Sequence, residues 1–454
     1  MSDIHLIAIG GSVMHNLALA LKKLGHRVTG SDDQIFEPAR FRLFNQGLLP
    51  AEEGWFPERI NKNVDFVILG MHAKADNPEL LRALELQIPV YSFPQFIAEQ
   101  YRDKKKVVIA GSHGKTTTTA MLMHVLKELG QQFDYLVGAQ LEGFDEMVSI
   151  SDAPLAIIEG DEYLSSSIDL RPKFMHYNPD ICVITGLAWD HYNVFPDYDR
   201  YVKAFSDLMT SMDTDSSLIY YADDLDLKET VMEFGDHLQK IKYKEADHVI
   251  ENNDTYLVYQ QHKTPLLIFG NHNLQNIQAV VEVCKLLDFP IEKCYAALST
   301  FKGAAKRLEL LESHHGKFVY LDFAHAPSKV RATVQAVRQK FKDKKILVVQ
   351  ELHTYSSLNK EFLPKYEGTL DGSDVAIIYF DKMALEIKRL PQLVPEDIIQ
   401  AFNNKNIQVV NNREELKRTI LGYQNDVEVF LFLGSGNFGG LDLKELTNAL
   451  LHSS

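Results

Sequence analysis

Six consecutive residues, Gly111-Ser112-His113-Gly114-Lys115-Thr116, carry the most specific chemistry in the sequence. The apolar run KVVIA precedes them and the helical pattern TTTAMLMHVLKELG, opening at Thr117, follows. A glycine loop between strand and helix presents backbone N–H groups to phosphate where the helix dipole favours anions. In such a loop a lysine ammonium neutralises β/γ-phosphate charge and a threonine hydroxyl ligates Mg²⁺. Ile109 stands where the longer consensus has its first glycine, so this is the shortened form G-x-x-G-K-T.

Other chemistry-bearing residues cluster at the ends of apolar runs. Glu159-Gly160-Asp161-Glu162 follows LAII. Crowded carboxylates there call for a cation, unless the loop is simply solvated. Asp190-His191 follows ICVITGLAW and reads as a metal ligand or proton-handling pair, or as a hydrogen-bonded structural histidine. His272, Asn273 and Asn276 open a helix, where amide edges suit an adenine ring and N-capping is the plainer use. Lys306-Arg307 can reach a phosphate or stand as a solvated basic pair. Asp322 ends KFVYL and opens the turn DFAHAP, fitting a ribose hydroxyl or a helix cap. Near the N-terminus, Gly10 and Gly11 permit close approach of a pyrophosphate, and Asp32 follows about 20 residues on, as a ribose-binding acid does. Ala8 and Val13 occupy two glycine-like positions, which weakens a dehydrogenase reading.

These residues need strands and helices to hold them. HLIAIGG, SVMHNLALALKKLGH and RVTGSDD read as strand, helix, strand, with further strands at DFVILG and IPVYS. The run Lys104-Lys105-Lys106 predicts a linker. KVVIAG, LAIIEGDE and ICVITGLAWDH are strands of a second segment, which closes on the helix NHNLQNIQAVVEVCKLL. KFVYLDFAH, KKILVVQELH, VAIIYF and VEVFLFLGSGNFGG belong to a third. The sequence therefore predicts three successive α/β domains over residues 1–104, 105–303 and 304–454.

Composition fits this plan. At 454 residues the chain is too long for one ordinary core and suits three. A net charge of −15 argues against nucleic acid or an anionic membrane as the main partner, so an anionic substrate needs local features to hold it. No run approaches the ~20 apolar residues of a membrane helix, and the N-terminal apolar run lacks an export signal's basic flank. Cys182, Cys284 and Cys294 form no metal or disulfide pattern and read as buried thiols of a cytoplasmic protein.

Taken in order, the motifs resemble the Mur ligases over essentially the whole chain. GSHGKTTT resembles their ATP loop, EGDE their Mg²⁺ carboxylate segment and WDH their second metal-ligand segment. HNLQN resembles the adenine contact, KR the linker-side basic motif and DFAHAP the C-terminal nucleotide turn. The resemblance implies an N-terminal Rossmann-like UDP-binding domain, a central P-loop-type ATPase domain and a C-terminal Rossmann-like acceptor domain. It implies ATP held by Gly111, Ser112, His113, Gly114, Lys115, Thr116, Thr117, His272, Asn273, Asn276, Arg307 and Asp322. Mg²⁺ would be held by Thr116, Glu159 and His191, with Lys115, His191 and Arg307 catalytic.

IGG-SVM with SDD is most similar to the branch that uses UDP-N-acetylmuramate itself, which places Gly10, Gly11, Ser12, Asp32 and His72 on that sugar. Members of this branch add either L-alanine or, in cell-wall recycling, the tripeptide L-alanyl-γ-D-glutamyl-meso-diaminopimelate. RPKFMHYNPD, DHYNVF, AKRLEL and GNFGG resemble the peptide-adding member, with His325, Gly436 and Gly439 on the acceptor side. Gln350-Glu351-Leu352-His353 stands where both relatives have arginine-containing segments. Ser206 stands where other Mur ligases carry a carbamylated lysine, so no modified lysine is expected. A folylpolyglutamate synthetase relative would share the ATP loop but lack the unit with Gly10, Gly11 and Asp32.

Overall fold

The computed structural model describes residues 1–189, 194–195, 197–404 and 407–452. They divide into two compact units, one holding residues 1–187, 197–244 and 279–289 and the other the remaining described residues.

The first unit contains two parallel sheets. β1 (Asp3–Ile7), β2 (Arg27–Ser31), β3 (Phe66–Leu69) and β4 (Val90–Ser92) lie in the order β2-β1-β3-β4. β5 (Lys105–Ala110), β6 (Asp134–Leu136), β7 (Leu155–Glu159), β8 (Ile181–Ile184), β9 (Ser217–Tyr221) and β10 (Gln239–Tyr243) lie in the order β10-β9-β8-β5-β7-β6. The apolar runs that announce β5, β7 and β8 are covered on both faces, as parallel strands between helices are. Chain order reverses around β5, between β7 on one side and β8 on the other. In open α/β sheets the crevice at the carboxyl ends of the strands near such a reversal is where ligands bind, and the glycine loop leaves β5 there.

The second unit carries a small antiparallel sheet of β11 (His248–Glu251), β12 (Asp254–Tyr259) and β13 (His262–Pro265). Its main sheet comprises β14 (Glu309–His314), β15 (Lys317–Asp322), β16 (Ile346–Leu352), β17 (Val375–Phe380), β18 (Ile407–Val410) and β19 (Val429–Leu433). The order is β14-β15-β19-β16-β17-β18, with β14 antiparallel to its neighbour and the rest parallel. Along β16, Ile346 and Val348 enter one core and Leu347 and Val349 the other. That alternation is what a strand buried on both faces requires.

The three-domain α/β architecture is thus present, with differences in detail. Lys104-Lys105-Lys106 is not a linker, because Lys105 and Lys106 open β5. Lys104 sits largely buried, with its ammonium 3.0 Å from Asp134 and bonded to the carbonyls of Ser151 and Ala153. A lysine can enter an interior when one carboxylate and several carbonyls replace its water. β8 ends at Ile184, earlier than the apolar run suggests. β9, β10, the antiparallel sheet, β14 and β18 have no counterpart in the sequence reading; several are polar or edge strands with weak alternation. Cys182, Cys284 and Cys294 are buried and none of them forms a disulfide. No helix among the described residues is long and apolar enough to cross a membrane.

Tyr101 fastens the start of the second sheet: its buried hydroxyl bonds the carbonyls of Tyr135 at 2.9 Å and Ser149 at 2.6 Å. Tyr101→Phe removes the donor and leaves buried carbonyls short of one, at a cost of about 1–2 kcal/mol. Urea unfolding should show a lower midpoint for the variant, and an unchanged midpoint would mean the hydroxyl carries no net stability.

Candidate active site

The glycine loop is shaped by close backbone approach. Gly111 has φ +120, and a Cβ there would stand 2.7 Å from the backbone nitrogen of Thr185, so no other residue fits. Gly114 is left-handed at φ +77 and caps the helix Lys115–Glu128. Ser112 N–H donates to Gly186 at 3.0 Å and Thr185 N–H to Ala110 at 3.0 Å, bracing the loop against the end of β8. The first turn of the helix therefore lies at the sheet's carboxyl edge. Thr117 is buried in that turn.

Lys115 is the charged centre of this edge. Its ammonium donates to both Glu162 oxygens, at 2.9 and 3.3 Å, and to the Gly111 carbonyl. Glu162 is fully buried. Burial by itself would lower the lysine pKa; the charges of Glu162, Asp161 and Glu159 outweigh it and raise the pKa, so the ammonium is fixed. The acidic loop is in turn held by the segment after it. Lys173 meets Asp161 at 2.7 Å, and Lys173 N–H and Phe174 N–H donate to the carbonyls of Tyr163 and Asp161.

Glu159 ends β7 beside the loop. It accepts from the Thr116 hydroxyl at 2.7 Å and from Gly138 N–H at 3.0 Å. A hydroxyl and a carboxylate side by side are hard oxygen donors of the kind Mg²⁺ takes while keeping water and phosphate oxygens in its shell. The residues present thus fit a phosphate-bound Mg²⁺. Among the described residues no group of three or more His, Cys, Asp or Glu forms a metal cluster. Asp190 and His191 lie outside the described residues.

In the first sheet the turn after β1 is closed by an acid. Asp32 accepts from Gly10 N–H at 2.7 Å and from Asp33 N–H at 3.0 Å. Burial, reinforced by Asp33 and opposed by these N–H groups, pushes its pKa up to about 6. Gly11 precedes the helix Ser12–Lys23, whose first residue sets its hydroxyl 3.5 Å from the Met147 sulfur. Asn16 of that helix accepts from Met147 N–H at 3.1 Å and from Arg42 at 2.9 Å. His72 is exposed on the turn after β3.

The second unit gathers the remaining predicted residues. His272, Asn273 and Asn276 open the helix Asn271–Leu286; burial pushes His272 down to about 4, so it is neutral, and Asn273 donates to the Phe269 carbonyl at 2.8 Å. Asp322 ends β15 and accepts from Ala324 N–H at 2.6 Å. Its pKa is raised by burial against the opposing pull of Arg307, whose guanidinium lies 4.7 Å over the Phe323 ring. His325 is turned onto the Phe323 carbonyl at 2.8 Å. In the first unit, Lys203, near the carbamylated-lysine position, pairs at the surface with Asp207, and Ser206 is buried.

The glycine turn after β19 holds a residue that the sequence reading does not assign. Glu351, buried at the end of β16, accepts from Gly436 N–H at 3.0 Å and Phe438 N–H at 2.9 Å. The N–H of Gly436, which the resemblance puts on the acceptor side, is already on a carboxylate of the chain. A Cβ at Gly436 would stand 2.5 Å from that carboxylate, and one at Gly439 would collide with the Tyr379 hydroxyl. Glu162 and Lys173 are likewise unassigned by the sequence. The acidic cluster signals Glu162, but nothing local says which acid meets the lysine 47 residues away.

Three family models match the chain: "Mur ligase family, catalytic domain" over residues 3–105, "Mur ligase middle domain" over 109–284 and "Mur ligase, glutamate ligase domain" over 306–436. UDP-N-acetylmuramate–L-alanyl-γ-D-glutamyl-meso-2,6-diaminoheptandioate ligase of Haemophilus influenzae is 27% identical, over 98% of this chain and 99% of that protein. UDP-N-acetylmuramate–L-alanine ligase of Sulfurihydrogenibium is 30% identical, over 96% and 95%. Among solved structures, a murein peptide ligase from Psychrobacter arcticus superposes with TM-score 0.67 at 23% identity, over 100% of both chains. UDP-N-acetylmuramate–alanine ligase from Thermotoga maritima superposes with TM-score 0.71 at 23% identity, over 96% of both.

Burial pushes Glu351 up to about 7, against the N–H groups that favour its ionised form. An unfolded glutamate titrates near about 4.3. Between those values the folded chain keeps a proton that the unfolded chain has released. This contribution to stability is full below the unfolded pKa and is lost as pH rises through about 7. Melting temperatures of wild type and Glu351→Gln between about pH 5 and about pH 8 should show a shallower decline for the variant. Equal slopes would sink the assignment.

Proposed function

Since the chain belongs to the Mur ligase family of ATP-dependent amide-bond ligases, we propose that it joins the lactyl carboxylate of UDP-N-acetylmuramate to the amine of L-alanyl-γ-D-glutamyl-meso-diaminopimelate, in the cytoplasm, during peptidoglycan recycling. The observation that carries the nucleotide chemistry is the Lys115 ammonium at a helix N-terminus, beside Thr116 and Glu159. RPKFMHYNPD, AKRLEL and GNFGG support the peptide acceptor. A second reading takes L-alanine as acceptor, and the 30% identity to the Sulfurihydrogenibium enzyme favours it.

A carboxylate resists condensation with an amine at neutral pH because its oxygen is a poor leaving group. In the proposed reaction a lactyl carboxylate oxygen attacks the γ-phosphorus of ATP and the bond to ADP breaks, giving an acyl phosphate. The acceptor amine attacks the acyl carbon, loses a proton, and inorganic phosphate leaves. The protein's part is positioning and charge neutralisation. Lys115 and the N–H groups of residues 111–117 would hold the β- and γ-phosphates. Arg307 would meet a phosphate, His272, Asn273 and Asn276 the adenine, and Asp322 the ribose. A neutral His272 presents one donor and one acceptor edge, as a base contact needs. Thr116 and Glu159, with His191, would hold Mg²⁺, which supplies further neutralisation of phosphate charge. Gly10, Gly11, Ser12, Asp32 and His72 would take the UDP-sugar, and His325, Gly436 and Gly439 the acceptor. The domains would run over 1–104, 105–303 and 304–454.

Lys115→Ala should lower amide formation by at least about a hundredfold while UDP-N-acetylmuramate still binds; near-normal turnover would remove the ATP loop from the mechanism. The acceptor is decided by kcat/KM for the tripeptide against L-alanine under one set of conditions. A higher value for the tripeptide is expected, and a higher value for L-alanine would reassign the acceptor without touching the ATP chemistry.

A further inference from the structure

Phosphate-binding lysines work by offering positive charge to an anion, yet Lys115 already has one. Glu162 grips the ammonium through both oxygens and is itself fully buried, so water screens the pair little. The pair is not a chance rotamer, because the loop carrying Glu162 is fastened on both sides. Gly160 N–H donates to the Ile109 carbonyl at 2.8 Å, so the loop starts on β5, the strand that carries the glycine loop. Asp161 is tied to Lys173, and Tyr163 to the backbone of the same lysine. Further on, Ser165 N–H donates to the Arg171 carbonyl, and His176 meets Ser165 at 2.9 Å. Residues 165–176 thus form a strap that fixes the acid against the lysine.

We propose that Glu162 is a positioning residue that stands in for phosphate at Lys115, so that nucleotide binding exchanges one anion for another at this ammonium and Glu162 sets nucleotide affinity. The proposal rests on the reading that residues 111–117 bind ATP. Its energetic content is competition. Time the lysine spends on Glu162 is withheld from phosphate, and apparent affinity falls by that fraction. A buried carboxylate beside an incoming phosphate adds like-charge repulsion. Glu162 therefore keeps the lysine extended while holding down the affinity for ADP, which must leave after each turnover. A residue that merely stabilised the loop would weaken nucleotide binding when removed; Glu162 should do the reverse.

The test is calorimetric titration of the full-length protein with ADP. Glu162→Gln, which keeps the shape and loses the charge, should bind ADP about tenfold more tightly than wild type. Without nucleotide it should melt lower than wild type, because the buried Lys115 ammonium loses its carboxylate partner, and ADP should raise its melting temperature by more. Glu162→Asp, whose shorter arm loosens the pair, should tighten binding by a smaller factor and serves if the glutamine variant does not fold. Unchanged or weaker ADP binding in the folded variants would overturn the proposal. Lys115→Ala separates the two readings. If it binds ADP as wild type does, the ATP-loop reading itself fails. If it loses ADP while Glu162→Gln gains nothing, only the role of Glu162 fails.

Discussion

A buried ammonium has to be neutralised, and the arrangement around Lys115 follows from that requirement. The lysine sits where a helix N-terminus already concentrates positive potential, at the carboxyl edge of a parallel sheet. Burial alone would pull its pKa down. Glu162, with Asp161 and Glu159 behind it, reverses the balance and keeps the charge. Those acids would in turn be intolerable together without Lys115 and Lys173. The loop after β5, the end of β7 and the strap after Glu162 are therefore joined as one electrostatic unit.

How much of this was legible in the sequence depends on how far apart the partners lie. GSHGKT declares its conformation locally: glycine is demanded at 111 by the backbone of Thr185 and at 114 by a left-handed cap, and strand and helix flank it in the pattern. The strands with both faces buried, such as β5 and β8, are equally plain because their apolar runs have no gap. Polar and edge strands carry no such mark: β10 reads QKIKY and β13 HKTP. Lys104 shows why composition misleads. A basic triplet looks like a solvated linker until Asp134 and two carbonyls, supplied from 30 to 49 residues away, take one of its members inside.

Glu351 is the sharper case of the same limit. In sequence it is only an acid where an arginine-containing segment would be expected, and Gly436 and Gly439 of GNFGG look available to an acceptor. Folding brings the two together across 85 residues. A glycine-rich turn at a strand end exposes N–H groups whatever their purpose, so the pattern announces an anion seat without saying whether the anion is a ligand's or the chain's.

That ambiguity recurs in all three parallel sheets. Asp32 rests on Gly10 N–H, Glu159 on Gly138 N–H and Glu351 on Gly436 N–H. In each case a strand-end backbone donor is met by an acid at a strand end or in the turn beside one. The common cause is geometric: parallel strands all deliver their carboxyl ends, and the N–H groups of the turns that follow, to one edge. An acid on the neighbouring strand is the nearest available partner, and a buried N–H must have one. What differs is the force on the proton. Burial lifts Asp32 to about 6 and Glu351 to about 7. Glu159 instead lies beside the Thr116 hydroxyl and the fixed ammonium of Lys115. At that edge the described residues join a hydroxyl and a carboxylate to a lysine and a helix N-terminus. This combination, and not the glycines by themselves, distinguishes a site able to take phosphate and Mg²⁺ from a turn that has satisfied its own backbone.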